Sequence, residues 1–372
     1  MITDVRIYII VGAFMVTCVA LMVFNFVVIR RSQGHNEPGA GRVNRWRGIF
    51  NKQMSIIAAS GIADASHGKF LTRKLQNTEN FVVYSILLQE LKDEFPKEYD
   101  IYMQDKPVAF QKLALSYANK PGIARAFFAD FVCNFPQAAS ESPAQLVDIL
   151  ISYIDDSSIH CRTNVLRALC SIGHVQGVVN AIQVINDQSL FMHNRLLTNE
   201  LLEFKGDRDV LAEQLWKECA NWSDEIQVSI IQFITNISSH YTEIFLPILK
   251  DTSVHAEVRF AILRYYGRYP YDDVRPTLFE FIENPDDLNL AIIAASVLAS
   301  YPSQDTVEVL RRALPSPHWY VRHNAASSLF KIGGKTYMLD ILNTETDKYA
   351  RDIVSYMLEQ MEGKAKKANK QK

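Results

Sequence analysis

Cysteine is scarce in this chain of 372 residues, with only five. Cys18 lies in an apolar run, while Cys133, Cys161, Cys170 and Cys219 are scattered through the body, with no two at zinc spacing. That excludes a disulfide miniprotein and reads as thiols in a reducing compartment. An excess of charge is lacking too. The formal net charge of −2 argues against a generic nucleic-acid binder. With 15 Gly, 13 Pro and 48% hydrophobic residues, the composition excludes a collagen-like or mainly disordered chain. HExxH and G-x-S-x-G are absent, and none of the nine histidines is followed by Glu. Beyond about residue 69 there is almost no period-2 alternation, so strands are not expected.

What is present begins with one long apolar run, Ile7 to Ile29, which carries no charge. As a helix it would reach about 34 Å, enough for a hydrocarbon core of about 30 Å. A cleaved signal peptide fits less well: the run is too long and no small-x-small site follows. Residues 30–52 hold Arg30, Arg31, Arg42, Arg45, Arg47 and Lys52 against Glu37, whereas the leader 1–6 balances Asp4 with Arg6. Positive flanks stay cytoplasmic, so the expected topology is single-pass in the inner membrane, N-terminus outside and body inside. Residues 32–44 read as a flexible tether. Trp46, Ile49, Phe50, Met54 and Ile57 then recur at helical spacing. Two readings stand: an interfacial amphipathic helix, or the first packing helix of the body.

The body repeats. In Trp319–Gly334, with Arg322 as anchor, apolar residues fall at −1, +3, +4, +7 and +10: Val321, Ala325, Ala326, Leu329 and Ile332. That is one stripe of an α-helix. The register recurs at anchors 125, 162, 194, 227, 259, 291, 322 and 351, near 32 residues apart, with the copies at Asn194 and Arg351 weaker. A shorter apolar helix precedes the stripes, for example in residues 145–154, 242–249, 276–282 and 306–314. Phe135-Pro136, Tyr269-Pro270 and Tyr301-Pro302 put an aromatic at +10 and Pro at +11, and Phe95-Pro96 marks an earlier, less clear copy. Pro disfavours helical geometry at the residue before it, so each second helix ends there. Gly173 and Gly333 are expected to stop their helices similarly. A helical hairpin of this kind must stack on neighbours to bury its apolar face.

VRHNAASSLFKIG around Arg322, CRTNVLRALCSIG around Arg162 and EVRFAILRYYGRY around Arg259 resemble the HEAT-repeat family, in its short bacterial form. The resemblance covers about 290 residues, most clearly 143–362. It implies an all-α fold, a right-handed α-solenoid of stacked hairpins over residues 69–362, after a transmembrane helix at 7–29 and a basic linker at 30–68, and before a Lys-rich tail at 363–372. The family's Asp–Arg pairing is patchy: Asp156 stands six before Arg162, but Ser253 and Ser316 hold that place before Arg259 and Arg322. The anchors Arg125, Arg162, Arg259, Arg322 and Arg351 are read as structural ties, with a ligand-binding stripe as the alternative.

Motifs that carry chemistry are sparse. GGKT at 333–336 mimics the end of a phosphate loop, but Leu329 stands where the first glycine belongs and a helix precedes it. Cys161 and Cys170, beside His160 and His174, would point to opposite sides of a helix and cannot share an ion. His318 and His323 read as solvated or capping residues. The deoxyhypusine hydroxylases of this fold use His-Glu steps, which are missing. HEAT-like DNA glycosylases need a basic groove, yet removing the +5 linker and the +5 tail from the net −2 leaves about −12 on residues 53–362. No catalytic residue, metal or cofactor is expected, and nucleic acid is not an expected partner.

In LRYYGRYPYDD, residues 263–273, Tyr265, Arg268 and Tyr271 lie off the core stripe. They form a candidate protein interface, with loop packing between units as the alternative. The function expected is a non-catalytic, membrane-anchored scaffold offering a cytoplasmic repeat surface to a protein, for example a membrane enzyme such as an envelope-polysaccharide glycosyltransferase. The alternatives are an enzyme of unknown chemistry in the groove and a membrane-surface sensor.

Overall fold

The computed structural model describes residues 14–15, 36–104, 109–139, 143–155, 158–283 and 287–370. The apolar run at 7–29 therefore lies outside the described residues except for Phe14 and Met15, and so does Asp156. Among the described residues there is no strand, and no helix is long and apolar enough to cross a membrane. The chain divides into two units, Met1–Tyr153 and Ile154–Lys372.

The first unit contains α1 (Asn36–Ser60), α2 (Ala65–Lys74), α3 (Thr78–Glu94), α4 (Pro96–Gln104), α5 (Phe110–Ala118), α6 (Gly122–Asn134) and α7 (Pro143–Ile151). Most of the segment expected to be a tether is helical, starting at Asn36. Pro38 is tolerated because it sits in the first turn, where backbone N–H groups have no helical acceptor. Trp46, Phe50, Met54 and Ile57 are buried on one face of α1, which packs on α3 and α4. The choice between membrane surface and body is thus settled for this stripe in favour of the body. Two of the linker's basic residues also turn to the body: Arg47 grips Glu90 through its Nε and Nη2, the latter at 2.7 Å, and Arg42 pairs with Glu79 at 2.7 Å. The boundary expected at 68/69 falls inside α2.

Aromatic rings fill this unit. Phe81 lies 4.7 Å from Phe131 and 5.4 Å from Tyr117, centroid to centroid, and Phe50, Tyr84 and Tyr102 form an adjoining group. Two tyrosine hydroxyls bond main chain in neighbouring helices: Tyr117 to Leu75 O at 3.0 Å and Tyr153 to Ala114 O at 2.6 Å. An aromatic core of this kind buries much apolar area per residue, and these two hydroxyls keep their hydrogen bonds.

The second unit is the repeated hairpin. Its helices are α8 (Ile159–Ile172), α9 (Val175–Asp187), α10 (Asn194–Leu202), α11 (Arg208–Cys219), α12 (Asp224–Ile237), α13 (Thr242–Lys250), α14 (Ala256–Arg268), α15 (Arg275–Glu283), α16 (Leu288–Val297), α17 (Gln304–Ala313), α18 (Trp319–Thr344) and α19 (Lys348–Lys370). The second helices stack in sequence, α8 on α10, α10 on α12, α12 on α14, α14 on α16, α16 on α18 and α18 on α19. First helices pair likewise, α9 with α11 and α15 with α17. This is the stacking of an α-solenoid. Every +7 residue of the unit is buried: Leu169, Leu201, Ile234, Tyr266, Leu298, Leu329 and Leu358.

The stop signals act as expected. Tyr269 and Tyr301 take φ near −120° with ψ of 85° and 62°, and Phe95 and Phe135 in the first unit do the same, so each helix ends before its Pro. Gly173 caps α8 with φ 76°, which favours glycine. In the GGKT stretch the break falls one residue later than expected, at Gly334. Its φ of 68° and ψ of −166° fold α18 into the second helix of one hairpin and the first helix of the next.

The anchor arginines reach main-chain carbonyls. Arg125 donates to Tyr153 O, Arg259 through Nε to Leu249 O at 2.9 Å, and Arg351 to Glu345 O. Arg322 donates to Ser316 O at 2.6 Å, while Arg162 reaches both Asp155 O and Phe191 O, the latter at 2.8 Å. A guanidinium with five donors suits this work, holding the turn between two helices through peptide oxygens. Elsewhere, side chains capture the carbonyls of the preceding second helix: Asn324 takes Ile292 O and Ser328 takes Ala295 O, both at 2.7 Å, and Ser300 takes Gly267 O at 2.9 Å.

Candidate functional site

The structure does not bring Tyr265, Arg268 and Tyr271 together as one surface. Tyr265 is 0% exposed. Its ring meets Phe245 edge-on at 4.7 Å and its hydroxyl accepts the Tyr241 N–H at 3.0 Å. Burial pushes its phenol up to about 12. The expectation fails because a second helix has two buried faces, one toward the adjacent second helix and one toward its own first helix. The stripe traced from the sequence covers only part of that surface. The +6 residues Ala168, Glu200, Phe233, Tyr265, Val297, Ser328 and Met357 are all buried. The apolar bias of that column is interrupted by Glu200 and Ser328.

Arg268 and Tyr271 remain accessible, but both already have partners. Arg268 Nη1 donates to Asn236 Oδ1 at 3.1 Å, on α12. The Tyr271 hydroxyl donates to Asp273 Oδ2 at 2.8 Å, which raises its pKa, and its backbone N–H donates to the Tyr301 hydroxyl. These contacts hold the loop after α14 against its surroundings.

A different surface carries unburied rings. Trp319 and Tyr320 open α18 at positions −3 and −2 of its repeat, just before the first core residue Val321, so the first turn directs them outward. They are 45% and 63% exposed. Trp319 stacks on His323 at 4.8 Å and meets Tyr320 edge-on at 5.0 Å. On the adjacent α19, Tyr356 stands 6.5 Å from both Trp319 and His323, and the Arg322 guanidinium lies 5.2 Å from the Tyr349 ring. Tyr349 and Tyr356 are exposed as well, and Leu288 opens α16 in the same way. The signal was in the sequence: at −3 and −2 other repeats hold Asp224 and Glu225, or Ala256 and Glu257. His323 thus serves as a stacking partner, and His318 is the N-cap of α18.

Cys161 and Cys170 are buried and His160 is exposed, while His174 caps α9 by accepting the Gly177 N–H at 2.9 Å. Among the described residues no three His, Cys, Asp or Glu side chains are grouped to hold a metal ion. A groove of about 440 Å³ is lined by Trp216, Cys219, Asp224, Gln227 and His255, with His255 Nδ1 3.9 Å from Asp224. Burial pushes the Cys219 thiol up to about 12, which disfavours the thiolate there.

Residues 286–359 match the family model for HEAT repeats. No match was found among curated proteins. Among solved structures, the crystal structure of an engineered protein is similar at 14% identity and a TM-score of 0.33, over 84% of this chain and 98% of that chain. A likeness at that level carries no weight.

Proposed function

We propose that this chain, whose residues 286–359 are HEAT repeats, is a non-catalytic scaffold that holds a protein partner on its second unit. HEAT repeats suggest protein interaction. The observation that carries the reading is the exposed strip of Trp319, Tyr320, Tyr349 and Tyr356 across two stacked helices. Rigid aromatic side chains beside an arginine are what binding hot spots are made of. Large rings left in water on a monomer mark an interaction site more often than chance. The apolar run at 7–29 supports a tether in the inner membrane with the repeats on its cytoplasmic side. The partner would then be a membrane protein, such as a membrane enzyme, and the scaffold would act by raising its local concentration.

The test is a site-specific photocrosslinker at position 320 in cells, with Trp319→Ala/Tyr349→Ala as the paired variant. One discrete adduct with a membrane protein is expected, and the double substitution should abolish it while leaving the helical circular dichroism unchanged. A chain lacking Met1–Arg31 should stay folded but lose its effect in the cell. Full activity of that fragment at native abundance would sink the scaffold reading.

A further inference from the structure

The first unit holds a groove of about 330 Å³ between α1 and α2, apart from anything the scaffold reading uses. Its apolar walls are Ile49, Ile56 and Phe70, and five polar residues line it as well: Lys52, Gln53, Asp64, Ser66 and His67. Gln53 is 3% exposed, yet its Nε2 meets no acceptor among the described residues. A buried amide donor left without a partner costs stability, and native proteins rarely retain one. Lys52, one residue earlier on α1, is exposed and brings a second donor and a positive charge. Asp64 caps α2, accepting the Ser66 N–H at 2.9 Å and its hydroxyl at 2.6 Å. A carboxylate has about four acceptor positions, so Asp64 keeps capacity for another donor. Lys52 and Asp64 make no ion pair among the described residues, although the lysine's field helps to lower the aspartate's pKa behind the Ser66 bonds.

A groove with donors on one wall, a carboxylate on another and apolar side chains between them matches a specific ligand shape. We infer that it binds a free apolar α-amino acid of about the size of leucine or phenylalanine. The ligand carboxylate accepts from Gln53 Nε2 and Lys52 Nζ, its ammonium group faces Asp64, and its side chain lies along Ile49, Ile56 and Phe70. Burial of an apolar body with a few placed polar contacts is the usual pattern of small-ligand sites.

Isothermal titration of the full-length, detergent-solubilised protein tests this, with L-leucine, 4-methylpentanoate and isoamylamine as probes. Leucine should bind saturably, and both analogues should bind at least about ten-fold more weakly, since each lacks one charge-assisted contact. Lys52→Met, Gln53→Met and Asp64→Asn should each weaken leucine by about ten-fold or more. None of these should unfold the unit. Lys52 is exposed, Met fills the space of Gln53 without its orphan donor, and Asn caps a helix about as well as Asp. Absence of leucine and phenylalanine binding at millimolar concentration overturns the inference. So does equal binding of leucine and 4-methylpentanoate, because Asp64 would then have no role.

Discussion

His67 should make the first unit sensitive to mild acid. Its imidazole is 7% exposed, lies edge-on to Phe50 at 5.1 Å, and shares a 3.3 Å hydrogen bond between Nε2 and the Tyr102 hydroxyl. Burial disfavours the charged ring and lowers its pKa from 6.5 to about 4, with the Asp64 charge opposing in part. Between those two values the unfolded chain binds a proton that the folded chain refuses. Stability is therefore full above pH 6.5 and falls as the pH drops toward 4. At about 1.4 kcal/mol for each pH step of one between those values, the loss is about 2 kcal/mol by pH 5 and about 3 kcal/mol by pH 4. Urea unfolding followed by fluorine NMR of 5-fluorotryptophan isolates the effect, because Trp46 is the only one of the four tryptophans in the first unit. His67→Phe keeps a ring against Phe50 but cannot titrate. Between pH 7 and pH 5 the wild-type Trp46 transition should lose about 2 kcal/mol more than the variant's. An equal loss in both proteins, or a His67 resonance titrating near 6.5, refutes the reasoning.

Three further expectations concern the second unit. Leu329→Ala removes a fully buried +7 side chain and should cost about 2–5 kcal/mol, with faster hydrogen exchange concentrated around residues 288–362; unchanged exchange there contradicts the stacking. Gly334→Ala meets no atom within 4 Å, so its expected cost of about 1–3 kcal/mol is purely conformational, and a variant melting at the wild-type temperature would show that the α18 break needs no glycine. Tyr265→Ala should lower stability by about 3–5 kcal/mol, unlike Tyr320→Ala, whose ring lies in water; equal thermal stability of the two variants would return Tyr265 to the surface.

The residues that repeat were the legible ones. Stripe positions −1, +3, +4 and +7 declare themselves because burial against a stacked neighbour demands apolar side chains at a fixed spacing. The aromatic-Pro stops declare themselves because proline acts on the backbone locally. What escaped is set by geometry that recurs less plainly. Tyr265 sits in a column that also contains Glu200 and Ser328, so the burial at +6 is masked by two polar residues whose hydrogen bonds are satisfied inside. The helix from Asn36 was obscured by its glycines and Pro38, which argue for a loop when local composition is read without the packing of Trp46 and Phe50. Trp319 and Tyr320 were visible as residues but not as exposed ones, since exposure depends on where the first turn of α18 points. The groove beside Gln53 has no sequence signature, because it is made by two helices whose register only the fold provides.

The arginine and serine ties have an evolutionary side. A ladder of acid–base pairs between repeats would fail whenever either member of a pair mutated, and compensation would require two coordinated changes. Here the acceptors at Leu249, Ser316, Ile292 and Ala295 are peptide carbonyls, which no substitution deletes. Each tie thus exposes one mutational target instead of two, and the residues around the acceptor are free to drift. Repeats held in this way can diverge until their pairwise likeness is faint while their stacking geometry persists. Ser253 and Ser316, standing six residues ahead of Arg259 and Arg322, are compatible with that freedom.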